Sequence, residues 1–67
     1  MAHDASLLGH HCYENGWTAS VIAHGYNGPD TYEVWAWHED GRTDEDVQGW
    51  LAASAVRVFL REVAARP

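Results

Sequence analysis

Five histidines and a single cysteine are the residues best suited to metal or nucleophilic chemistry, and they are densest at His10-His11-Cys12. Neighbours along a strand point to opposite faces, so only His10 and Cys12 can act on one ion. Zinc takes four ligands, and no second Cys or His pair stands at finger spacing. His11 and His24 fall two rows apart on one predicted face, too far for a common ion. His3 suits an amino-terminal copper site only if Met1 is kept, and beside the small Ala2 it is expected to be removed. Cys12 as a nucleophile needs an adjacent base and a third group to orient that base. The register argued below buries it instead, and a buried thiol is inert. Asp44, Glu45 and Asp46 read as charges at the start of a helix, and Glu39 and Asp40 as part of a turn. No two carboxylates share an apolar pocket, as acid–base work requires. Gly25, Gly28 and Gly41 read as turn glycines, without a phosphate loop. No catalytic residue, metal or cofactor is therefore expected.

Composition narrows the field further. The 67 residues hold ten Asp and Glu against four Arg and no Lys, a net charge of −6. Residues 1–56 carry nine of the acids and one Arg, and residues 57–67 three Arg and one Glu. Such a chain is poorly built to neutralise duplex phosphates. Four Trp and a hydrophobic content of 46% argue against intrinsic disorder. One domain, 1–67, is expected. The first residues lack the basic and apolar regions of a signal peptide. No stretch approaches the roughly 18 apolar residues that span a bilayer. With one Cys, a reducing, cytoplasmic setting is expected. A chain this short buries only about 60% of its unfolded surface, so surplus apolar surface and self-association are expected.

Two Asn-Gly pairs, in Glu14-Asn15-Gly16-Trp17 and Tyr26-Asn27-Gly28-Pro29, are strong hairpin signals. β-branched and aromatic residues surround them. The reading is α+β: a three-stranded antiparallel meander over about 6–14, 17–24 and 31–39, then one C-terminal helix over about 44–65 packed on one face. Residues 1–5 are expected to be flexible. Thr43 is the expected N-cap, with Asp46 completing an imperfect capping box. The order of elements resembles that of small DNA-binding domains such as those of some phage integrases, a likeness of topology without a shared residue motif.

Two-residue turns at both Asn-Gly pairs set Cys12 opposite Ala19, Ala19 opposite Ala36, and Val21 opposite Val34. One face then holds Leu8, His10, Cys12, Trp17, Ala19, Val21, Ala23, Tyr32, Val34, Ala36 and His38, a shelf of mostly small residues for the helix. The other holds Tyr13, Ile22, Trp35, Trp37 and His11, more aromatic than a solvent face usually is. A one-residue slip in either hairpin would reverse a strand's assignment. On the helix, an apolar arc of roughly 220° exceeds the usual stripe, and Gly49, Ala52, Ala53, Val56, Leu60 and Val63 form its surplus side.

The expectation is a small acidic, non-enzymatic interaction protein. It forms a homodimer through that helical side and docks on another, larger protein through Tyr13, Ile22, Trp35, Trp37 and His11. It would be of inhibitor or adaptor type, as in some viral and mobile-element proteins. One alternative is a nucleic-acid module using the aromatic face with Arg57, Arg61 and Arg66. Another is a small-ligand or metal binder using the aromatic face or His10 and Cys12.

Overall fold

Strand-forming residues flanked by two three-residue turns with the same chemistry build the sheet. The computed structural model describes residues 4–23 and 31–67. The strands are β1 (Gly9–Cys12), β2 (Trp17–Ile22), β3 (Tyr32–His38) and β4 (Gln48–Leu51), followed by helix α1 (Ala53–Ala64). They form one antiparallel sheet in the order β1-β2-β3-β4, and α1 lies against β2, β3 and β4. The expected α+β class with a C-terminal helix holds, but the described residues form four strands rather than three. His3 and His24, Gly25 and the turn at Asn27-Gly28 lie outside the described residues.

Both turns read Glu-Asx-Gly. In each, the glycine amide donates to the residue three back (Gly16 to Tyr13, 3.1 Å; Gly41 to His38, 3.0 Å). In each, the Asx side chain accepts the amide two residues on (Asn15 from Trp17, Asp40 from Arg42, both 3.0 Å). Gly16 and Gly41 have φ of +88° and +100°, whereas Asn15 is not in the left-handed region. That is the three-residue hairpin, a turn closed by a left-handed glycine, rather than the two-residue form in which both central residues have positive φ.

The extra loop residue slips the first hairpin by one. Cys12 pairs with Thr18 and His11 with Ala19, so β1 is turned over relative to expectation. β2 against β3 keeps the expected register, with Ala19 opposite Ala36 and Val21 opposite Val34.

The two turns lie side by side. The Glu39 amide donates to the Gly16 carbonyl at 3.0 Å. His38 Nε2 donates to the Asn15 carbonyl at 2.8 Å while its Nδ1 accepts the Asp40 amide at 3.0 Å. A Cβ at residue 16 would stand 2.6 Å from Glu39 Oε2 and 2.7 Å from His38 Nε2. Gly16→Ala is therefore expected to cost about 1–2 kcal/mol from the backbone alone, with the crowding adding to it. Thermal unfolding would check this, and a midpoint equal to that of the unmodified protein would contradict it.

Helix α1 starts nine residues later than the expected residue 44. The Asp44 amide donates to the Ala36 carbonyl at 2.9 Å and Thr43 bridges to Trp37, so this segment completes β3's free edge. Gly49, a poor helix former, falls inside β4. The N-cap is Ala52, without a side-chain cap bond, and the first turn has no acid. Asp44, Glu45 and Asp46 are thus not helix N-terminal charges.

The core joins Leu7, Trp17, Ala19, Val21, Tyr32, Val34 and Ala36 to Val56, Phe59 and Val63 of α1. Ala19 and Ala36, facing each other, leave room for the large helical side chains. This is an ordinary one-sided amphipathic helix. The expected surplus side is not a surface. Val56 and Val63 are fully buried, Ala53 and Leu60 pack on the core, Gly49 is in β4, and Ala52 precedes the helix.

Both ends of the described chain, at Asp4 and at Pro67, are tied in. The Asp4 amide donates to the Tyr32 hydroxyl at 2.7 Å, and Arg57 Nη2 meets Asp4 Oδ2 at 2.9 Å. Asp4 and Ala5 therefore belong to an ordered turn that leads Leu7 into the core. At the other end, Asn15 Nδ2 reaches the carbonyls of Val63 (2.9 Å), Ala64 (3.2 Å) and Arg66 (3.0 Å), capping α1 from the first turn. Arg66 lies 4.5 Å from the centre of the Trp17 ring, with Arg42 at 5.3 Å. Arg66 also bonds Glu62 through Nε and Nη2 and Asp44 through Nη1. No helix among the described residues is long and apolar enough to cross a membrane.

Three carboxylates are held below their ordinary range. For Asp4 the main cause is the Ser6 hydroxyl, then the Ser6 amide, with Arg57 adding to them. For Asp40 it is the Arg42 amide, and for Glu62 the Arg66 guanidinium. A carboxylate with a lowered folded pKa stabilises the fold above its unfolded value and loses that contribution as pH falls through the folded value. Thermal stability is thus expected to fall as pH drops below about 5. Melting curves across that range would check it, and a rising midpoint would contradict it.

Candidate functional site

Among the described residues, the helix covers one face of the sheet and leaves the other bare. On β3, Tyr32, Val34 and Ala36 point into the core, so alternation turns Glu33, Trp35 and Trp37 to the bare face. On β2 the same rule turns Thr18, Ser20 and Ile22 outward, and Ile22 is 46% exposed. The slipped first hairpin adds His10 and Cys12 from β1.

The rings on this face touch one another. Trp35 and Trp37 lie 5.6 Å apart at 38°, and His10 meets Trp37 edge-on at 5.2 Å. The Trp35 indole N–H donates to the Asp44 carbonyl at 3.0 Å, which fixes its orientation. Exposed His10 of β1 and half-exposed Trp37 and Trp35 of β3 form a row that reaches over β2, with Ile22 alongside. Indoles held this way offer large contact area at little entropic cost.

No family model, curated protein or solved structure matches the chain.

Of the five residues expected on this face, Ile22, Trp35 and Trp37 are there. Tyr13 and His11 are not, because the slip turns them to the helix side. Tyr13 packs against the core, where burial raises its pKa. His11 Nε2 lies 2.7 Å from the Leu7 carbonyl. His10 and Cys12, expected in the core, take their places. Cys12 is exposed and accepts from the Thr18 hydroxyl at 3.7 Å, so it is not the buried thiol expected.

Among the described residues, no group of three or more His, Cys, Asp and Glu stands close enough to hold a metal ion. The three C-terminal arginines lie on the far side from Trp35 and Trp37. Arg57 and Arg61 are on the helix, and Arg66 is drawn over Trp17 and into its ion pairs.

Two exposed apolar residues escaped the sequence reading as a surface. Trp50 is 71% and Val47 53% exposed. Both were absorbed into the expected helix, and Gly49 between them is the signal that argued against that helix.

Proposed function

We propose that this chain is a non-enzymatic protein-interaction module, of inhibitor or adaptor type, that docks on a larger protein through the bare sheet face. Its contact residues are Trp35, Trp37, His10 and Ile22. The observation that carries the reading is that the helix shields only one face while interlocked aromatic rings occupy the other. A face meant for water alone would alternate polar side chains there. Buried interface cores are enriched in aromatic residues, and tryptophans are frequent hot spots.

The charge of −6 favours a partner with a basic surface, chiefly by speeding encounter. It also disfavours single-stranded nucleic acid, whose aromatic platforms are paired with a basic groove. Here Arg57, Arg61 and Arg66 lie on the other side of the sheet from Trp35 and Trp37. The reading places no second copy on the helix, since the residues expected to receive it are largely core residues.

The test uses the absence of lysine, which leaves the amino terminus as the only primary amine for immobilisation. Protein coupled there would be exposed to lysate from its own cells, beside a Trp37→Ala form. Proteins held by the first and lost from the second support the reading. An identical captured set from both would contradict it.

A further inference from the structure

The bare sheet face leaves the most exposed large hydrophobic side chain among the described residues unexplained. Trp50 has φ +62°, a region that a bulky residue rarely adopts. It sits in a bulge where Gly49 and Trp50 together stand opposite Glu33, between the pairs Val34–Gln48 and Tyr32–Leu51. Glycine adopts such a conformation without penalty, and Gly49 is the immediate neighbour, yet its own φ is not in that region. The strained position thus holds a tryptophan, and that tryptophan faces solvent. Neither choice serves stability.

Val47 projects from the same segment, and Glu45 and Asp46, both exposed, precede it. The segment begins at Asp44, whose carbonyl holds the Trp35 indole. The Trp35 indole thus ties the start of the segment to the aromatic sheet face.

We infer that Trp50 and Val47 form an insertion anchor that seats in an apolar pocket rimmed by Arg or Lys on a partner protein, with Glu45 and Asp46 meeting the rim. The anchor rests on the docking-face reading and extends it to a second element. Three features select this occupant. The segment is apolar at two positions and acidic at two. The chain carries −6 and no lysine, so a second copy would bring like charge to the same place. The stored backbone strain is what functional contacts tend to retain.

The probe is a 14-residue amphipathic helical peptide of Leu and Arg, with a Leu and Glu peptide of the same pattern as control. Binding is followed by tryptophan fluorescence at low salt. Trp50→Gly leaves net charge unchanged and relieves the backbone. It is expected to keep or raise the melting midpoint while weakening the Leu–Arg peptide by about tenfold, the scale of a modest hot spot. Val47→Ser is expected to weaken binding severalfold.

Should Trp50→Gly fail to fold, Trp50→Asn, which tolerates left-handed backbone, takes its place with the same expectation. Undiminished binding by the Trp50 and Val47 variants would overturn the anchor. If Trp37→Ala then weakened binding, the sheet-face reading would stand without it. No binding of the Leu–Arg peptide by any form, or equal binding of the Leu–Glu peptide, would overturn the anchor and its charge argument together.

Discussion

Trp17→Ala is expected to leave the chain mostly unfolded at 25 °C. Trp17 is almost fully buried and closes the end of the core where the first turn, the third strand and the chain terminus converge. Its ring lies under Arg66 and Arg42 and meets His38 edge-on at 5.2 Å, and its indole N–H donates to the Pro67 carbonyl at 3.3 Å. Truncating a buried tryptophan costs about 3–5 kcal/mol. A domain of this size holds only about 3–5 kcal/mol in all, so the loss is comparable to the whole stability. Circular dichroism with urea titration would show it. A cooperative transition with a urea midpoint close to that of the unmodified protein would contradict the position assigned to Trp17.

Trp37→Ala is expected to do the opposite. Its ring touches Trp35 and His10 on the uncovered face, so removal costs the fold about 0.5–1.5 kcal/mol for the ring contacts plus the burial of a half-exposed ring, well short of the cost at Trp17. The folded spectrum and a cooperative melt should persist. Affinity for the captured partner should fall by about 2 kcal/mol or more, the hot-spot range, read by titration calorimetry. Loss of folding would move Trp37 into the core account. Unchanged affinity in a folded variant would remove it from the docking face. The two substitutions separate tryptophans that composition alone cannot tell apart.

Much of this was readable in the residues. The alternation in Trp17–Ile22 and Tyr32–His38 placed Ala19, Ala36, Val21 and Val34 inside, and Ile22, Trp35 and Trp37 outside. The first hairpin was not, because Asn-Gly serves both a two-residue turn and the closing half of a three-residue one. Its discriminant is spatial: Asn15 is drawn toward the carbonyls of Val63, Ala64 and Arg66 at the end of the helix. That one residue of slip moved four side chains in and just after β1, exchanging His11 and Tyr13 for His10 and Cys12.

The helix start failed for a different reason. Thr43 to Asp46 carries a capping pattern, but the open edge of β3 takes up the Asp44 amide, and tertiary pairing overrides a local signal. Gly49 and Trp50, poor and middling helix formers, were the local warning. The repeated Glu-Asx-Gly of the two turns was the other readable signal.

The most direct test of the docking-face account is native mass spectrometry on untagged protein gently purified from its own cells, alongside a Trp35→Ala/Trp37→Ala form. The account predicts a species carrying the mass of a second, different protein, present for the unmodified chain and absent for the double variant. A chain carrying only a small-molecule mass, or the same protein complex in both forms, would contradict it.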